Sequence, residues 1–201
     1  MVDDRNWTGH AGGVAGPQGT LRFDVAYPER LSRLLIFVKW LLAIPHFFIL
    51  YFLNIAVSVV SIIAWFAILF TGRYPRGMWD FVLLVERWLT NMTAYLYLLR
   101  DEYPPFGEGP YPVRLEMEYP ERLSRLLIFV KWLLVIPHLV VLWFLGIAAG
   151  VVWLISFFAI LITGRYPRGM FDFMVGFARW SLRVNLYLLN LTDVYPPFSL
   201  E

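Results

Sequence analysis

Residues 28–42 read PERLSRLLIFVKWLL, and residues 120–134 read the same letters again. The correspondence runs without a gap from 21–106 to 113–198, at a constant offset of 92, with 52 identities over 86 positions. The chain is therefore one unit written twice, and any fold proposed for one unit must also let the two pack together. The boundaries that follow are a Gly-rich polar tail (1–20), a first unit (21–106), a short GEGPYP linker (107–112) and a second unit (113–201).

Each unit contains a long apolar run, Leu31–Thr71 and Leu123–Thr163, with no acidic residue in either. The whole chain is 59% hydrophobic and 16% charged, against roughly 45–50% and ~25% for soluble domains. Because the excess is concentrated in these two runs, membrane insertion accounts for it better than a large core. The net charge of +2 gives no reason to expect nucleic acid, and the lack of cysteine excludes disulfides, thiolate catalysis and cysteine metal sites. The first residues carry acids where a cleaved signal carries bases, and lipidation motifs are missing, so membrane contact is expected from the apolar runs themselves.

Within a unit, Arg22–Tyr27 and Arg114–Tyr119 alternate polar and apolar residues, which predicts a short strand or extended lead-in. Pro28 and Pro120 then stand near a helix start, with Glu29 or Glu121 in its first turn. The apolar run has two readings. It forms a tight hairpin, with helices Leu31–Leu53 and Ile55–Thr71 and a turn around Asn54 (Gly146 in the second copy), or it forms a surface helix followed by one tilted span. Charge favours the hairpin: Arg30, Arg33, Arg73 and Arg76 then share one side, as do Arg122, Arg125, Arg165 and Arg168, in keeping with the positive-inside rule. Gly72 and Gly164 are placed to end the helix in the left-handed conformation. The third segment, 77–100, carries a polar stripe at helical spacing, Arg76, Asp80, Arg87 and Asn91, repeated as Arg168, Asp172, Arg179 and Arg183. It reads as an amphipathic helix in the membrane interface. Each unit closes on Asp-x-Tyr-Pro-Pro-Phe.

Two sets of residues are candidates for function. Lys39 and His46, with Lys131 and His138, share a helix face inside the apolar run. They read either as an ion or proton pathway, or as a snorkelling lysine and a histidine that bonds carbonyls freed by the adjacent proline. Arg73, Arg76, Asp80 and Arg87, with Arg165, Arg168, Asp172 and Arg179, read as a lipid-phosphate or partner site, or as a salt-bridged stripe that anchors the helix. No nucleotide loop, nucleophile elbow or zinc-protease motif is present. No metal, cofactor or enzymatic activity is expected.

The blocks YPERLSRLLIFVKWLL-x-IPH, FAIL-x-TGRYPRGM-x-DF, RW and D-x-YPPF resemble the bacterial family known as domain of unknown function 4389. The resemblance covers Tyr27–Phe106 and Tyr119–Phe198. It implies a small integral membrane domain, often in tandem, and no assigned activity. The copies differ at Glu86 versus Ala178 and at Asn91 versus Arg183. Together these readings predict an all-α integral membrane protein of two parallel repeats, each a hydrophobic helical hairpin followed by an interfacial amphipathic helix. The expected role is a non-enzymatic scaffold or accessory subunit in the inner membrane, both termini cytoplasmic, in contact with lipids and with other subunits or copies of itself. A small ion or solute carrier, or an anionic-lipid-binding protein, is the alternative.

Overall fold

The computed structural model describes residues 21–201; the tail read from residues 1–20 lies outside the described residues. Each unit is built from one strand and three helices: β1 (Arg22–Val25), α1 (Leu35–Leu42), α2 (Ile44–Thr71) and α3 (Arg76–Leu96), then β2 (Val113–Glu116), α4 (Leu127–Leu134), α5 (Ile136–Thr163) and α6 (Arg168–Leu188). The alternating lead-ins are strand only in their first part, over 22–25 and 113–116, and these strands pair with each other. β1 and β2 form an antiparallel ribbon in which Phe23 faces Leu115, its own counterpart in the other unit. A residue opposite its twin marks the place where a two-fold axis passes through the ribbon. Contacts elsewhere come in matching pairs, as that axis requires.

The helices begin later than Pro28 and Pro120 suggest. Residues 28–34 and 120–126 are instead used to bridge the units: Leu31 N donates to Gly164 O (2.9 Å) and Leu123 N to Gly72 O (2.8 Å). Gly72 and Gly164 end α2 and α5 as expected, both at φ 70°. The guanidinium groups of Arg125 and Arg33 lie beside them, from the opposite unit. A cation there suits the negative end of a helix dipole.

The hairpin turn is not formed. Phe52–Ile55 lie inside α2, and the equivalent residues lie inside α5. Asn54 is accommodated in the helix with its amide donating to Leu50 O (2.8 Å), and without a proline nothing removes a rung of the ladder. The proline that is present, Pro45, falls in the first turn of α2, where its missing N–H costs little. The ladder even continues from α1 into α2, through Ala43 N to Lys39 O and Phe47 N to Ala43 O. Leu35–Thr71 and Leu127–Thr163 are thus two 37-residue apolar helices, long and apolar enough to cross a membrane.

The turn lies instead at residues 72–75, where the chain reverses and α3 runs back along α2 until its end meets α1. This α3 is not a peripheral stripe on the surface. Trp79, Val82, Val85, Trp88, Met92 and Tyr95 are buried, and the helix is an inner layer, with α2 on one side and β2 on the other. The repeats pack about the two-fold axis with their long helices opposed. Phe37 at the start of α1 meets Phe157 near the end of α5, and Phe129 at the start of α4 meets Trp65 in α2. The long helices therefore run in opposite directions. Charge counting along the chain favoured the hairpin over one long helix per unit, and so did not supply this.

Candidate functional site

The Lys–His pairs and the closing motifs, far apart in sequence, form one constellation in each unit. Lys39 is buried in α1 and its ammonium pairs with Asp101 (2.9 Å). It also donates to Arg100 O and sits 4.8 Å from the centre of the Tyr95 ring. Asp101 accepts a further hydrogen bond from Ser32 N, so one carboxylate ties the lead-in loop, α1 and the end of α3 together. His46, fully buried at the start of α2, accepts at Nδ1 from Trp88 Nε1 (2.8 Å). Phe106 stacks flat on the imidazole at 4.1 Å, and Tyr103 donates to Leu42 O (3.1 Å).

The second unit repeats each part. Lys131 pairs with Asp193 at 2.8 Å, Trp180 donates to His138 at 3.0 Å, Phe198 stacks on His138 at 3.8 Å, and Tyr195 donates to Leu134 O. An imidazole that accepts at Nδ1 carries its proton on Nε2 and is neutral. The constellation works as a latch: an ion pair and a stacked ring close the end of α3 onto α1–α2. The apolar run contains no acid, so Asp101 and Asp193 were not visible as partners of the lysines. The usable signal was that Lys39 to Asp101 and Lys131 to Asp193 keep the same spacing.

The arginine stripe divides. Arg73 and Arg165 are exposed beside the α2 and α5 caps. Arg76 pairs with Asp80 and Arg168 with Asp172, at i, i+4 on the surface. The same arginines lie 4.6 Å from the centres of the Tyr119 and Tyr27 rings of the opposite unit. Arg87 and Arg179 instead grip the ribbon, each donating its Nε at 3.1 Å to the axial residues Leu115 O and Phe23 O. These two arginines hold the outer edges of the strands, where backbone carbonyls would otherwise lack partners. Among the described residues there is no cluster of three metal-ligating side chains.

A family model described as a domain of unknown function, DUF4389, matches residues 33–107 and again 125–199. The chain belongs to this family. Each DUF4389 copy starts in the bridging loop and ends just beyond the Pro-Pro-Phe motif, so the family unit is the latched unit seen here. No curated protein and no solved structure matches the chain.

A further feature lies between the two DUF4389 copies, where α3 faces α6 beneath the ribbon. A cavity of about 340 Å³ is lined by Phe23, Glu86, Thr93, Ser181, Leu182 and Asn185. Glu86 is buried, and accepts from Asn185 Nδ2 at 2.9 Å. Burial pushes its carboxyl up to about 7, and the amide partially offsets this. Sequence comparison of the units singled out Glu86 against Ala178, but nothing in one unit alone told that Asn185 would meet it.

Proposed function

We propose that this protein is a non-enzymatic membrane component, a scaffold or accessory subunit that seats its long helices in lipid and presents its charged face to partner subunits or further copies of itself. The observation that carries this is the exposure of α1–α2 and α4–α5. In the most apolar stretch of each, only 17% of residues are buried, whereas the central helix of a soluble protein is covered on all sides. Phe48, Tyr51, Phe66 and Phe70 in one helix, with Trp143, Phe144, Phe158 and Ile162 in the other, are all more than half exposed. Exposed apolar patches of this extent mark contact with a membrane or a partner.

The latch geometry supports the structural reading of Lys39, His46, Lys131 and His138 over a carrier built on them. Both lysines are ion-paired and both imidazoles are covered by a stacked ring. The basic helix ends agree with an inner-membrane location facing the cytoplasm. The test is purification from native membranes at native expression in mild detergent, followed by mass spectrometry of what remains bound. The expected result is recovery from the membrane fraction in a larger assembly. A monodisperse monomer without companions would overturn the subunit reading.

A further inference from the structure

The geometry points to a flat seating: α1–α2 and α4–α5 lie along one leaflet of an anionic bilayer instead of crossing it, and the two-fold axis stands along the membrane normal. This rests on the membrane reading above and specifies which surface meets lipid.

The argument starts from symmetry. A two-fold axis that turns one long helix into an oppositely directed twin must run across those helices. Were the helices to cross the bilayer, the axis would lie in the membrane plane at mid-depth, and so would everything on it. The ribbon is on the axis, because Phe23 faces Leu115 there. Its outward side chains Arg114 and Glu116 are 48% and 54% exposed, and Glu108 beside them is 64% exposed. Mid-depth is the costliest place in a bilayer for a charged side chain, and an open ribbon edge is not tolerated in hydrocarbon. Turning the molecule by a right angle removes both conflicts. The ribbon packs on α3 and α6, which pack in turn on α2 and α5. The order of layers is thus charged ribbon, buried helices, apolar helices, the order that water above and lipid below would select.

Length agrees. Strongly exposed apolar side chains extend from Leu34 to Phe70 and from Leu126 to Ile162, roughly 54 Å of helix at ~1.5 Å per residue. The hydrocarbon core is only ~30 Å thick. A crossing helix would leave several turns of exposed Leu, Phe and Ile beyond it, while a helix lying flat meets no such limit. At 100° per residue the exposed positions of α2 cover roughly three-fifths of its circumference, which suits immersion by ~5–10 Å.

A leaflet also fits better than a second copy of the chain. Arg30, Arg33 and Arg165 ring one end of the apolar layer, and Arg122, Arg125 and Arg73 ring the other. Two copies meeting by these faces would press like charges together, whereas lipid phosphates at headgroup height would neutralise them.

The chain contains no cysteine, so single cysteines report cleanly. Arg73→Cys, Arg165→Cys and Glu108→Cys in the full-length protein would be probed with an impermeant maleimide in sealed, oriented vesicles. All three are expected to react from the same side. A fluorophore on Phe52→Cys is expected to be quenched several-fold more by lipids carrying a nitroxide near the headgroup than by lipids carrying it near the chain end. Labelling of Arg73→Cys and Arg165→Cys from opposite sides, or preferential deep quenching at Phe52→Cys, overturns the flat seating while leaving membrane residence intact. Failure to sediment with membranes, with Phe52→Cys protected in a soluble dimer, overturns the membrane reading itself.

Discussion

The two units agree where each closes on itself and differ at the cavity between α3 and α6. Both latches use the same lysine, aspartate, histidine, tryptophan and phenylalanine, at distances within about 0.3 Å of each other. In the cavity between α3 and α6 the match breaks down. Glu86 stands opposite a region where its counterpart is Ala178, and its partner Asn185 corresponds to Thr93. A perfectly symmetric pair would place two carboxyls close to the axis, and like charges sharing a low-dielectric site raise one another's cost. One carboxyl with one amide from the other side avoids that. Duplication preserves the parts that hold a unit shut, and asymmetry enters where twin side chains would collide.

The largest effects should come from opening a latch. Asp101→Ala leaves the buried Lys39 ammonium without its counter-ion, and removing one partner of a buried pair costs about 3–5 kcal/mol. Asp193→Ala should cost the same within error, and thermal unfolding of the purified protein measures both. Unequal losses would break the equivalence of the units.

The axial carboxyl sharpens the contrast through pH. Glu86 has a raised value in the folded protein, about 7 against an ordinary 4.5. The native state therefore holds a proton that the unfolded chain gives up between those values, and stability falls as pH rises through this window. The stabilisation is complete below pH ~4.5 and lost above pH ~7, a swing of about 3 kcal/mol. Glu86→Gln should abolish that part of the pH dependence and raise the melting temperature at pH 8. Ala178→Gln, its twin position, should leave the slope unchanged. Denaturation profiles at several pH values distinguish the two.

The smallest effect tests the helix ends. Gly72→Ala and Gly164→Ala each force a side chain into left-handed backbone at φ 70°, at about 1–2 kcal/mol. The ideal Cβ at each would also meet the arginine of the other unit at 3.4–3.5 Å. Equal losses in melting temperature are expected at the two sites.

Much of this was legible in the residues. The duplication follows from comparing the chain with itself, and the apolar helices, the strand-like lead-ins and the terminating glycines follow from local pattern, since each of these is decided by neighbours a few residues away. The turn at Asn54 misled because one polar residue in an apolar run resembles a break, yet its amide finds a carbonyl in its own helix. The counter-ion of Lys39, the pairing of β1 with β2 and the opposed course of the long helices depend on contacts between residues about 60 to 130 positions apart. No periodicity encodes those. The arginine stripe was visible as a pattern, but the different tasks of Arg76 and Arg87 depend on what lies above each one.

The bridge from Leu31 to Gly164, and from Leu123 to Gly72, has one more implication. Each half of this chain relies on the other to pair its strand and to take up the carbonyl of its capping glycine. A chain bearing a single unit would have to borrow those groups from a second molecule, and at low abundance would often lack them. Joined by six residues, the halves meet at an effective concentration far above any the cell supplies, so the dimer that one unit would need is present from synthesis.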